Sequence, residues 1–363
     1  MTIEWLAGNR IRGTNSERTT TTGFNTVAAT SGGWVELGRH TLGAASDYLE
    51  VSSLPEKRYY KMIWHIIDGT ASWCQPGWRV GSGTVDTGGN YGERFTRDGA
   101  ADTVYGNNTY NGLWANAASA NTDLFGVSYF TNHSAKEKLA IHHTVGSAAG
   151  AASAPSRGEI VGKWANTSNP LDLVRLEHVG TGNGYNTNSE CVIMGWDPAD
   201  AHTTNFWEEL ASVNASGSST NLSSGTITAK KYLWIQCYSE GTSGDILTTF
   251  NNDSGSNYGR RYSIDGASDA TSVSQASIAN MHNAGLAGDD AFSNWFIINN
   301  SANEKFCTGH SVQNGAAGAA TVPLRVEFVG KWANTSSQIT EIDFDSQSGN
   351  FGSNSIIKVW GSD

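Results

Sequence analysis

The chain has 363 residues, 16% of them charged, and a formal net charge of −11. That length suits two or three domains large enough to bury a core without disulfides or metal, and a charged fraction well below the usual ~25% suits short strands joined by turns, not long helices. The acidic balance excludes the basic groove that phosphate binding needs, and with it nucleic acid as a partner; no run approaches the ~20 apolar residues of a membrane helix.

Residues 1–33 are polar and extended in character, with Arg10, Ile11 and Arg12 between glycines and a Thr run from Thr19 to Thr22. They read as an arm that adds a strand to a sheet edge or tethers a neighbouring subunit, with Arg10, Ile11 and Arg12 as its contact residues. The start lacks a basic n-region and an apolar run of signal length, which predicts a chain made and kept in a cytoplasm, or released by assembly or lysis.

From Trp34 the chain reads as strands punctuated by turns: Trp34–Arg39, Tyr59–Ile67, Tyr91–Arg97, Leu124–Phe130, Leu139–Val145, Gly158–Trp164, Leu171–Val179 and Glu190–Trp196. Tyr59–Ile67 is almost wholly apolar, as expected of a central strand buried on both faces. Between Ala101 and Asp123 stand Tyr105, Tyr110 and Trp114, a candidate contact surface. His142 and His143 are adjacent on a strand, so their rings point to opposite faces and share no metal.

Val161-Gly162-Lys163-Trp164-Ala165-Asn166-Thr167-Ser168 returns unchanged as Val329–Ser336, 168 residues later. The chain is an internal duplication, and repeats of this kind decide the fold. Other anchors keep the same order: Asn90-Tyr91-Gly92 with Asn257-Tyr258-Gly259, Glu137-Lys138 with Glu304-Lys305, His143 with His310, Tyr60 with Tyr232, and Trp34 with Trp207. The second copy is expected to place strands at Tyr232–Tyr238, Tyr258–Ile264, Trp295–Ile298, Arg325–Trp332, Ile339–Asp345 and Ser355–Trp360. The expected fold is all-β: two tandem jelly-roll-like β-sandwiches, residues 34–198 and 199–363, after the arm, with Asp197–Thr204 as the join.

Retention of the octamer in both copies favours a structural corner, in which Trp164 and Trp332 fill the core and Asn and Thr bond the local backbone. The loop Asn251–Asn257 is rich in oxygen and is a weak Ca²⁺ candidate, without EF-hand spacing; no other cofactor is expected. Glu341, Asp343 and Asp345 are alternate acids on one strand face. They resemble the acid strand of laminarinase-type glycoside hydrolases, but the first copy has Leu173, Arg175 and Glu177 instead, which favours a solvated face. Cys74, Cys191, Cys237 and Cys307 occupy unmatched positions and read as free, packed thiols.

The opening Gly8-Asn9-Arg10-Ile11-Arg12-Gly13, the run Asn252–Ser263 and the octamer together resemble a group of duplicated proteins of marine viruses and marine microbial sequence, over nearly the whole chain. The resemblance implies a virion structural protein (capsid, decoration or tail-associated), with itself and other virion proteins as partners and no catalysis. The alternative is a carbohydrate-binding jelly-roll or host-surface adhesin, with stacking platforms among Trp73, Trp78 and Trp114; a glycoside hydrolase is the third reading.

Overall fold

A computed structural model describes residues 33–67, 76–113, 123–179, 184–197, 205–242, 244–281, 289–314 and 322–363. Among the described residues there are twenty-five strands and no helix. In the first half these are β1 (Val35–Thr41), β2 (Tyr48–Val51), β3 (Tyr59–Ile66), β4 (Pro76–Ser82), β5 (Thr84–Val85), β6 (Tyr91–Arg97), β7 (Thr103–Asn108), β8 (Asn111–Gly112), β9 (Asp123–Thr131), β10 (Lys138–Ser147), β11 (Ser156–Trp164), β12 (Leu173–His178) and β13 (Glu190–Trp196). In the second they are β14 (Glu208–Asn214), β15 (Asn221–Ser223), β16 (Tyr232–Thr242), β17 (Ile246–Phe250), β18 (Tyr258–Ile264), β19 (Ala270–Gln275), β20 (Ile278–Met281), β21 (Asp289–Ile298), β22 (Lys305–Gln313), β23 (Leu324–Trp332), β24 (Ile342–Ser346) and β25 (Ile356–Ser362).

Each half is an antiparallel sandwich of one eight-stranded and one smaller sheet. The large sheets run β1-β13-β3-β9-β10-β11-β6-β7 and β14-β25-β16-β21-β22-β23-β18-β19; the small ones run β2-β12-β4-β5, with β8 beside β4, and β15-β24-β17-β20. Strand for strand the order is the same, with β5 as the one addition to the first half. Even the bulges match: the register shifts between Glu36 and Gly38 and again between Glu209 and Ala211, and Leu37 and Leu210, the bulged residues, both pack on their cores. The chain is thus two tandem jelly-roll-like β-sandwiches, as the duplication implies.

Alternation along the large-sheet strands fixes three apolar layers. On β3, Tyr60, Met62, Trp64 and Ile66 enter the first core with Trp78, Tyr91 and Trp164, while Ile63 faces outward. On β16, Leu233, Ile235 and Cys237 enter the second core with Trp295 and Trp332, while Tyr232 and Trp234 face outward. The outward sets meet. Ile63, Phe125, Val127, Val145, Val192 and Met194 of the first half pack against Phe206, Tyr232, Trp234, Phe296, Phe306 and Val329 of the second. The halves are joined by a third core, which is why β3 is buried on both faces.

Register also corrects one expected pairing. Tyr59 faces Trp196 and Tyr232 faces Ser362 at the same site of the two sheets, so Tyr232 corresponds to Tyr59, not Tyr60. A one-residue slip moves a side chain to the other face: Tyr60 lies in the first core and Tyr232 in the junction.

The repeated octamer is a corner built alike in both halves. Trp164 Nε1 donates to Asp86 Oδ2 and Trp332 Nε1 to Asp253 Oδ2, each at 2.7 Å. Asn166 Oδ1 accepts from the Ser168 and Asn169 amides, and Asn334 Oδ1 from those of Ser336 and Ser337. Cys191, Cys237 and Cys307 are buried free thiols, and burial pushes all three above the ordinary thiol range; Cys74 lies outside the described residues.

Candidate functional site

The junction carries the densest chemistry of the molecule. At one end the Lys61 ammonium, on a side chain 2% exposed, sits 3.8 Å from the Phe296 ring centre and within 5.5 Å of those of Tyr129, Trp207 and Trp234. A cation among aromatic faces is held by their quadrupoles. Four residues along the same pair of strands, where β13 sets Glu190 opposite His65, Glu190 accepts from Tyr232 Oη at 2.5 Å, pairs with Lys231 at 2.9 Å and accepts from Thr41. Burial works to raise the Glu190 carboxyl, but these donors hold it below the usual range.

At the other end Arg157, 2% exposed, bonds Asp269 (2.6 Å) and Glu327 (2.9 Å) of the second half and Glu159 (3.3 Å) of its own. His143 Nδ1 bonds Glu159, and His310 Nε2 lies 3.6 Å from the same carboxylate. Burial disfavours a charged His143, but Glu159 outweighs it and raises the imidazole above its ordinary value. His143 and His310 hold matching places in the duplicate, and their ring centres are 4.5 Å apart. His142 does point the opposite way, into the first core, bonded to Ser128.

Beyond this cluster the first half lays its β10–β11 loop onto the second. The Gly150 amide donates to Glu304, Lys331 Nζ to the Ala148 carbonyl (2.6 Å), the Ser274 amide to the Ala151 carbonyl (2.8 Å) and Arg261 to the Pro155 carbonyl (2.7 Å). Glu304 and Lys331 also pair with each other at 3.2 Å, and Lys331 is fully buried.

Matched residues meet at the centre of this contact, His143 with His310 and Glu159 with Glu327 about Arg157, but to either side of it the two large-sheet faces contribute different residues. Phe125 and Val145 of the first half are fully buried in it; their counterparts Phe292 and Val312 are 38% and 43% exposed. Phe306, Thr308 and Val329 of the second half are at most 3% exposed; their counterparts Leu139, Ile141 and Val161 are 55%, 49% and 49% exposed. The polar grips follow the same rule. Glu137 and Lys163, the counterparts of Glu304 and Lys331, pair at 3.0 Å on an open surface, and Arg94, the counterpart of Arg261, is exposed beside Asp102. Ile141, Val161, Arg94 and Val104 are neighbours across four strands, so the open face is one continuous strip.

The expected sites fall as follows. Tyr105 is 47% exposed at the β7 edge, and Tyr110 is partly buried under the Arg79 guanidinium, 5.9 Å from its ring centre. Trp114, Trp73, Arg10, Ile11 and Arg12 lie outside the described residues. Trp78 is not a platform: it is fully buried against Phe130 and His142, because the small-sheet strand that carries it turns it inward. The side-chain oxygens of Asn251 and Asp253 are taken up by the fold: Asn251 Oδ1 accepts from the Thr340 and Glu341 amides. Asp253 accepts from Gly255, Asn257 and Trp332, as Asp86 does from Gly88, Asn90 and Trp164; the loop's counterpart is Asp86–Asn90, matched donor for donor. Glu341 bonds Ser223 and Asn252, Asp345 bonds Asn221, and Asp343 is buried between them, raised by burial and by both neighbours. On the same face of the first half Arg175 pairs with Glu50 and Arg79 with Glu177. Sequence reading missed the junction because its partners come from opposite halves of the chain, from 42 to more than 180 residues apart. The matched histidines were the one available signal.

No family model matches the chain, and no curated protein is similar to it. Among solved structures the chain is similar to the mouse laminin alpha1 chain, domains LG4-5, with 11% identity, a TM-score of 0.20 and 90% of each chain covered. It also has a likeness, at 8% identity and a TM-score of 0.13, covering 80% of this chain and all of the other, to a structure from work on the in-meso crystallization of membrane proteins. At such scores the architecture rests on the sheets themselves.

Proposed function

We propose that the chain is a structural subunit that assembles head to tail with copies of itself. The observation that carries this is the mismatch in burial between equivalent residues. A two-fold contact buries the same patch on both sides and closes on itself; a heterologous contact leaves each patch's complement open and repeats. Within the chain, the Phe125–Val145 face of one sandwich meets the Phe306–Val329 face of the next. The same operation applied again brings Phe292 and Val312 of one copy onto Leu139, Ile141 and Val161 of another. The exposed Glu137–Lys163 pair and Arg94 then hold what Glu304, Lys331 and Arg261 hold inside the chain. The gripped residues Ala148–Ala152 recur unchanged in sequence as Ala316–Ala320, outside the described residues.

A repeating contact of this kind suits a shell, sheath or fibre. A virion surface, built in a host cytoplasm from this and other coat proteins, is the setting we propose for it, with no catalytic step. Sedimentation velocity over a concentration series tests the reading: the chain is expected to form oligomers that vanish in the Ile141→Glu/Val161→Glu variant. A chain that stays monomeric at every concentration contradicts it. The second reading, glycan binding, has exposed Tyr105 and Tyr48 in its favour, the latter with the Arg175 guanidinium 4.5 Å from its ring centre. A glycan array with Tyr105→Ala and Tyr48→Ala variants separates it from assembly.

A further inference from the structure

We propose that His143, Glu159 and His310 form a site for a divalent cation of the zinc type, bridging the two halves. One ligand atom from each residue lies within 4.8 Å of the other two. Zinc bonds of about 2.0–2.2 Å to nitrogen and oxygen bring such atoms to roughly 3.3 Å from one another, a closure that side-chain rotation supplies. Two imidazoles and a carboxylate suit zinc, and other borderline ions, better than Ca²⁺ or Mg²⁺, which prefer oxygen alone.

The surroundings support an ion there. The three side chains are 22%, 18% and 38% exposed, so the site opens to solvent. A cavity of about 60 Å³ lies beside the two rings, lined also by Tyr129, Asn294, Thr308 and Phe296. It has room for the water that completes a tetrahedral three-residue site. Glu159, Glu327 and Asp269 face Arg157, which bonds Asp269 and Glu327 more closely than Glu159. Glu159 Oε2, already on His143, can turn to the ion while Oε1 keeps the guanidinium, and even with Arg325 paired to Glu327 the three carboxylates outnumber the two guanidinium groups. The ion takes the place of the proton between His143 and Glu159. It also ties β10 and β11 to β22, so it joins sandwich to sandwich and not strand to strand within one sheet.

The test uses the full chain, stripped with a chelator and dialysed. Calorimetric titration with ZnCl₂ is expected to show one ion per chain, and Co²⁺ the visible absorption of a tetrahedral centre. Zinc is expected to raise the melting temperature by binding the folded chain alone. His310→Ala is expected to weaken binding by about 100-fold or more, since even partners of ligands contribute 10–100-fold, while exposed His133→Ala leaves it unchanged. Glu159→Gln, which keeps the shape of the side chain, reads the same loss should His310→Ala not fold. No uptake by the parent chain, or unchanged affinity in a folded His310→Ala or Glu159→Gln chain, overturns the site.

Discussion

At the scale of residues, the duplication preserves hydrogen-bonding devices more strictly than packing. Asn132 and Asn299 make the same pair of bonds, accepting from the Leu171 and Ile339 amides at 2.8 and 2.6 Å and donating to the carbonyls of the same residues. Core volume is freer to move. Trp64 packs over Gly126, and the matching pair in the second half is Cys237 and Ser293; the second core is filled instead by Trp295, whose counterpart is Ser128. A Cβ on Gly126 would sit 2.2 Å from Trp64 Cζ2, so Gly126→Ala is expected to cost about 1–3 kcal/mol by overpacking, measured by urea denaturation. The Asp86 and Asp253 carboxylates each accept from an indole, an amide and an Asn side chain. Asp86→Ala and Asp253→Ala are therefore expected to lose similar stability, about 2–3 kcal/mol each, because an indole N–H is left unmade in a buried corner. Denaturation of the two variants side by side checks the equality as well as the size. The corner was legible in sequence because the octamer repeats letter for letter; the Asp that caps its Trp was not, since it lies 78 residues away.

At the scale of elements, the large-sheet strands were legible and most small-sheet strands were not. Tyr91–Arg97, Glu190–Trp196 and Tyr258–Ile264 stand where alternation put them. β4 begins at a proline and holds two glycines, and β2, β15 and β20 are four residues or fewer, too short for a period to show. β7 and β19 are polar edges, and β22 opens Lys-Phe-Cys-Thr-Gly with almost every residue buried, so alternation is hidden there too. The end of β3 shows what burial on both faces does to an ionisable group. His65, fully buried, has Asp123 at 4.0 Å, with Lys231 and Glu190 nearby. Burial, and then Lys231, lower it to about 3, against the pull of Glu190. The unfolded chain therefore takes up this proton below pH ~6.5 while the folded chain does not, and stability falls as pH drops through the window from ~6.5 toward 3. The expected slope is about 1.4 kcal/mol per pH unit from this one group. Denaturation midpoints between pH 6.5 and 4.5 read it, and His65→Gln is expected to flatten the slope by that amount. An unchanged slope in the variant removes His65 as its source.

At the scale of the whole molecule, two sandwiches make one body because the outer faces of their large sheets are apolar enough to form a third core. Neither copy's sequence shows this by itself. The outward residues of β3 read as part of a doubly buried strand, and only the fold shows that the second layer covering them is the other half. The asymmetry of that contact away from its matched centre is the central claim: Phe125, Val145, Phe306 and Val329 are buried where their twins Phe292, Val312, Leu139 and Val161 are exposed. Assembly through the free faces is therefore expected to be directional. The most direct test mixes two blocked chains, one carrying Ile141→Glu/Val161→Glu and the other Phe292→Glu/Val312→Glu, and follows them by sedimentation velocity. Each alone is expected to be monomeric, and the mixture is expected to give a one-to-one dimer that grows no further, since each chain keeps the one face the other lacks. Higher oligomers from either blocked chain alone, or no dimer from the mixture, contradict the account.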